Sequence, residues 1–137
     1  MTLTLTPAAR AVIDRHAVEA FPYECCGALY GSDDVIAEAL RLPNNTDEGP
    51  RRRFRISTPD YKLAEEHARK SGRAFVGFYH SHPDHPARPS QTDLDSALPN
   101  MHYLITSVLD GRVDVTRAWR LREDRSAFDE TTLTLGD

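Results

Sequence analysis

Hydrophobic positions along the chain switch repeatedly between helical and extended spacing. Ala9, Val12, Ile13, Ala17 and Ala20 recur at intervals of three and four, which lines one face of a helix. Thr6-Pro7 supplies an N-cap followed by proline at the first helical position, and Pro22 stops the pattern, so a helix is predicted between them. Thr58-Pro59 opens a second helix in the same way, with Gly72 placed for a left-handed cap, and Ser90 to Leu98 gives a third. Extended segments lie between. Cys26 to Tyr30 and Val35 to Leu42 flank the turn Gly31-Ser32-Asp33-Asp34, followed by Phe54 to Ser57, Arg73 to Tyr79, Met101 to Leu109, Val113 to Leu121 and Phe128 to Leu135. Asp110-Gly111 reads as a hairpin turn. Ala74 to Tyr79 is apolar on both faces and reads as a buried central strand. Strands interleaved with three helices predict an α/β or α+β layer fold, a mixed sheet covered by helices.

Composition narrows the class. A chain of 137 residues without repeats or linker-like stretches predicts one domain spanning 1–137. Seventeen Lys and Arg against 21 Asp and Glu leave a net charge of −4, which argues against nucleic acid as a partner. No apolar run reaches the roughly 18 residues of a membrane span, and the N-terminal stretch carries no basic-then-apolar leader. Cys25 and Cys26 are adjacent and are the only cysteines, so a disulfide framework is excluded; a cytoplasmic protein away from the membrane is expected.

Three of the six histidines stand at positions 80, 82 and 85. In extended chain an i, i+2 pair points to one face, so His80 and His82 are spaced to share a metal. After seven intervening residues, His82 is followed by Ser90-Gln91-Thr92-Asp93, which sets a carboxylate in the first turn of a helix. Two imidazoles and a carboxylate are ligand types zinc accepts, and three of them leave a fourth position open, the pattern of a catalytic site. Ser90 and Asp93 equally fit a capping box, and the two readings are compatible. Such a site needs a proton acceptor, for which Glu24, Glu65, Glu66, Asp84 and Asp95 are all candidates. Glu24 stands out as a charge directly before an apolar strand. Cys25 and Cys26 read as small buried residues at a strand start, and His85, between two prolines, as a solvent-facing loop residue.

These residues resemble the signature of the JAMM (MPN+) metalloproteases. Glu24 opens Glu-Cys-Cys-Gly-Ala-Leu-Tyr-Gly; Gly77 to Pro83 contains His-Ser-His; Pro89 to Asp93 completes the spacing of His, seven residues, Ser, two residues, Asp. Pro43-Asn44-Asn45, Arg53-Phe54, the helix from Thr58, His102 to Ile105 and Ala118-Trp119-Arg120 extend the likeness over nearly the whole chain. The resemblance implies a JAMM/MPN-type mixed, mostly antiparallel curved sheet flanked by helices in three layers. It implies one Zn²⁺ per chain held by His80, His82 and Asp93, with Glu24 as general acid/base and Ser90 donating a hydrogen bond to the developing oxyanion. The implied substrate is a ubiquitin-like or sulfur-carrier protein, cut at the C-terminal glycine of its Gly-Gly tail. The short Leu42 to Arg53 connection matches compact bacterial members. Arg51-Arg52-Arg53 with Arg55 forms the one basic run, and Arg52 and Arg53 are candidate contacts to such a partner. The alternative is a non-catalytic interaction module whose structural zinc is closed off by Cys26 or His85.

Overall fold

Thr6 caps the first helix, its hydroxyl accepting from Ala9 N, and helix α1 (Pro7–Ala20) follows with Pro7 in its first turn. The computed structural model describes residues 2–46 and 54–136. The stripe of Ala9, Ile13 and Ala17 is buried, while Arg10, Arg15 and Glu19 face solvent. Helix α2 (Thr58–Ser71) is capped by Ser57, whose hydroxyl accepts from Asp60 N, and ends at Gly72 with φ +72°, where a residue with a Cβ is disfavoured. Arg69 and Lys70 in its last turn complement the negative end of the helix dipole.

Seven strands complete the structure: β1 (Thr2–Leu5), β2 (Cys26–Gly31), β3 (Val35–Leu42), β4 (Ala74–Pro83), β5 (His102–Leu109), β6 (Arg112–Leu121) and β7 (Phe128–Leu135), with α3 (Gln91–Ser96) between β4 and β5. They form a mixed sheet in the order β1-β3-β2-β4-β5-β6-β7 that closes on itself. Pairing is antiparallel for β2 with β3 and β4, and for β6 with β5 and β7; it is parallel for β4 with β5 and for β1 with both β3 and β7. One core packs the α1 stripe on Leu3, Leu5, Leu29, Ile36, Tyr79, Leu104 and Val108. Each fully buried aliphatic side chain of that set stabilises the fold by about 1.5–3 kcal/mol. On the other side Tyr30 and Ala28 meet α2 at Ala64, and Phe78 and Tyr103 meet Tyr61 and Leu94.

Three expectations change. Thr2–Leu5 is a strand, whose inward Leu3 and Leu5 are almost fully buried between β3 and β7. Phe54 to Ser57 is irregular; Phe54 and Ile56 are held by side-chain packing, and no ladder forms there. The central strand continues past Tyr79 to Pro83, so His80 and His82 lie inside β4, paired to β5 through Ile105 and Ser107. β4 and β5 run side by side at Gly77, where any Cβ would collide with the backbone carbonyl of His102. No helix among the described residues is long and apolar enough to cross a membrane.

Candidate metal centre

Strand alternation turns His80 and His82 to one face of β4 and Ser81 to the other. His80 Nε2 lies 3.1 Å from His82 Nε2, and Asp93 Oδ2 lies 3.2 Å from the first and 3.1 Å from the second. All three side chains are at least nine-tenths buried. Tetrahedral metal bonds of about 2.0–2.1 Å separate neighbouring ligand atoms by about 3.3 Å, so this triangle matches one face of a zinc tetrahedron.

Each corner is held by local structure. His82 Nδ1 donates to the carbonyl of Pro86 at 2.9 Å, which leaves its Nε2 lone pair facing the triangle. His80 is sandwiched instead: the Phe54 ring stacks on it at 4.5 Å, and its Nδ1 is buried without a hydrogen-bond partner. Asp93 is fixed by the capping box of α3. Ser90 Oγ accepts from Asp93 N at 3.1 Å, and Ser90 N donates to Asp93 Oδ2 at 2.9 Å. Asp93 therefore serves the cap of α3 and the triangle at once.

The electrostatics follow. Burial alone would raise the Asp93 carboxyl, but the charge of His80 and hydrogen bonds from His80, His82 and Ser90 N outweigh it and hold the group well below the usual carboxylate range. Burial pushes His80 down. The same penalty acts on His82, but its bonds to Asp93 and Pro86 win and raise it. Three lone-pair atoms in so small a triangle form a site that a cation stabilises.

Glu24 stands beside the triangle, 4% exposed, with Oε1 buried and unpartnered. Its ligand atom and those of His80 and His82 all lie within 4.8 Å of one another, a looser set than the one made with Asp93. The register brings it there, since Cys26 pairs with His80 across β2 and β4. Ser81 then clasps the neighbouring residue: its Oγ accepts from Cys25 N at 2.9 Å and its N donates to Cys25 O at 3.1 Å. Asn44 Nδ2 donates to Glu24 O at 3.1 Å. Burial, partly offset by His82 and reinforced by Asp93, raises the Glu24 carboxyl to about 8.

Two cavities meet at the triangle, sharing Thr92. One, of about 270 Å³, is largely apolar, bounded by Phe54, Ile56, Tyr61, Phe78, Leu98 and Tyr103 and reaching His80 and Asp93. The other, of about 390 Å³, is bounded mainly by polar and charged residues and carries Glu24, His82, His85, Arg88 and Ser90; it is the polar cavity of the pair.

The family model for prokaryotic homologs of the JAB domain matches residues 6–122. The chain belongs to that family. Its likeness to the JAMM/MPN proteins is thus one of sequence and fold. A desampylase from Haloferax volcanii is 36% identical over 117 residues, covering 81% of this chain and 84% of its own. A CysO-cysteine peptidase from Mycobacterium tuberculosis is 27% identical over 107 residues, 77% of this chain and 73% of its own. A solution structure of a protein from Desulfitobacterium hafniense superposes with a TM-score of 0.84 at 31% identity, covering 100% of this chain and 94% of that one. A JAB1/MPN domain protein from Archaeoglobus fulgidus gives 0.63 at 23% identity over 98% of this chain and 100% of its own, a likeness of fold alone.

Other candidates from the sequence are not part of the triangle in this JAB-domain chain. Cys26 Sγ is turned to the carbonyls of Leu42 and Pro43, and burial pushes its thiol up to about 12. Cys25 is buried, also with a raised thiol. His85 is exposed, its ring centroid 6.5 Å from that of His82. Glu65, Asp84 and Asp95 are no part of the triangle; Asp84 Oδ1 accepts from Asp110 N, and Asp95 from Gln91. Glu66 is engaged in ion pairs with Arg69 and Lys70 along α2. Arg52 and Arg53 lie outside the described residues. Sequence reasoning passed over Ser81, whose signal was the enforced alternation between two inward histidines, and Arg88.

Proposed function

We propose that the protein is a zinc-dependent hydrolase that cleaves an amide bond at the C-terminal glycine of a ubiquitin-like or sulfur-carrier protein. The observation that carries this reading is the buried triangle of His80, His82 and Asp93 with an unpartnered carboxylate, Glu24, at its side. The desampylase and the CysO-cysteine peptidase among the relatives support the substrate class.

In this reading His80, His82 and Asp93 hold the metal. Bound there, zinc supplies Lewis acidity toward the scissile carbonyl and toward water. Glu24 takes the proton of the attacking water and returns it to the departing amine. Burial holds its carboxyl above the usual carboxylate range, and a cation at the triangle would draw it back toward the ionised form that accepts a proton. Ser90 Oγ already accepts from Asp93 N, which leaves its O–H free to donate to the oxyanion as the carbonyl becomes tetrahedral. The capping box thereby orients a ligand and an oxyanion donor from a single turn.

Glu24→Gln tests the mechanism. Zinc content by atomic absorption should stay at one per chain while cleavage of a tail-extended carrier, read by intact mass, drops by about a thousandfold or more. Undiminished turnover by that variant would remove Glu24 from the reaction.

A further inference from the structure

The polar cavity beside the triangle sets an exposed arginine in front of the groups that do the chemistry. Arg88 lines it together with Glu24, His82 and Ser90, and among the described residues its guanidinium has no hydrogen-bond or ion-pair partner. The loop that carries it is pinned three times in succession. The carbonyl of His85 accepts from Ser107 Oγ at 2.6 Å, that of Pro86 faces His82 Nδ1 at 2.9 Å, and that of Ala87 accepts from Trp119 Nε1 at 3.0 Å. Ala87 itself is 1% exposed, anchoring the backbone immediately before Arg88. The pinned backbone fixes the point from which the side chain reaches out, and a guanidinium fits a carboxylate in a bidentate fork.

The sides of the site can also be told apart. Glu24 lines the polar cavity and is no part of the apolar one, so a nitrogen that receives its proton, and whatever is attached to that nitrogen, belongs on the polar side. We infer that Arg88 selects a leaving group that bears a free carboxylate next to the scissile nitrogen: an amino acid joined through its amine to the carrier's terminal glycine. The reaction adds one water across the acyl C–N bond. The carrier is left with a carboxylate, and the amino acid departs with its amine and its own carboxylate. A lysine side chain joined in an isopeptide presents no such anion there, and is disfavoured. This inference rests on the hydrolase reading for the direction of proton transfer and on Arg88 for its specificity.

The test uses a fluorescent peptide ending in Gly-Gly-Ala, prepared as the free acid and as the C-terminal amide. Binding to zinc-loaded Glu24→Gln protein is measured by anisotropy. The acid should bind about ten- to a hundredfold more tightly than the amide, the worth of a charge-assisted pair. Arg88→Gln in that background should bring the acid to the level of the amide, and Arg88→Lys should restore part of the difference. Equal binding of acid and amide, a preference that survives Arg88→Gln, or no measurable binding of either peptide at millimolar concentration would overturn the assignment. Incubating both peptides with the unmodified protein and weighing the products separates the two readings. Cleavage of neither, with the Arg88-dependent preference in binding intact, would refute hydrolysis and leave the carboxylate site standing.

Discussion

Replacing Ser81 by alanine tests whether the residue between the two histidines positions Glu24. Ser81 and Cys25 are 0% and 2% exposed, and the substitution deletes the oxygen that accepts from Cys25 N at 2.9 Å while keeping the ladder bond from Ser81 N to Cys25 O. Cys25 N–H is then buried without an acceptor, which costs about 1–3 kcal/mol. For a chain of this size that corresponds to a fall in melting temperature of roughly 3–12 °C. The residue released is the direct neighbour of Glu24, whose other recorded backbone tether, Asn44 Nδ2 to Glu24 O, remains. His80 and His82 reach the triangle from the opposite face of β4 and Asp93 from α3, so its three corners are untouched. Zinc stoichiometry should therefore stay at one, KM should hold, and kcat should fall by about tenfold, the loss expected when a proton-transfer group is displaced by a fraction of an ångström. Thermal melts with and without chelator, metal analysis and steady-state kinetics on one preparation decide it. Loss of metal in step with kcat would refute the reasoning, because Ser81 would then be supporting the histidines and not Glu24.

Two further outcomes are expected. Asp93→Asn keeps an acceptor for Ser90 N and hence the cap of α3, but removes the charge; zinc affinity should fall by more than about a hundredfold with the circular dichroism spectrum unchanged, and retention of tight zinc would exclude Asp93 as a ligand. His16 Nδ1 and the buried Tyr79 hydroxyl share a hydrogen bond of 2.7 Å, and burial, aided by the charge of Arg41, lowers the pKa of His16 from 6.5 to about 4. The unfolded chain takes up this proton first as pH falls, so the stability due to neutral His16 is complete above about pH 6.5 and is lost progressively down to about 4. With solvent screening of a half-buried ring the loss is about 1–2 kcal/mol, and the difference in unfolding free energy between wild type and His16→Gln, from urea titrations, should shift against wild type by that amount as pH falls over the interval; parallel curves would count against it.

Much of the site is legible in sequence because its parts are local. Strand alternation pairs His80 with His82, and the three-residue spacing of a capping box fixes Ser90 against Asp93; both are rules of a single segment. Glu24 is different. Its place depends on Cys26 falling opposite His80 in the β2–β4 register, a long-range fact that left it one of five acidic candidates until the family signature was matched. The same distinction explains the fold. Both long helices announce themselves through Thr-Pro or capping signals, whereas β1 has four residues and owes its strand character to β3 and β7 on its flanks. Phe54 to Ser57 has apolar residues that suggest a strand, but it takes only a single backbone bond from Asn45 N to Arg55 O among the described residues and packs Phe54 on His80 and the apolar cavity. Nor does any local pattern mark Arg88, which matters through the cavity it shares with Glu24.

The three pinned carbonyls at His85, Pro86 and Ala87 have an evolutionary and practical corollary. Their donors include Ser107 on β5 and Trp119 on β6, neither of which lines the two cavities at the triangle. Variation at those inner strands is therefore transmitted to the geometry of His82 and to the reach of Arg88, so drift in the barrel wall can retune which leaving group is accepted without touching a ligand. Conversely, an engineer wishing to shift selectivity has a handle some thirty residues away in sequence, and a zinc titration of such variants would report how faithfully the wall holds its loop.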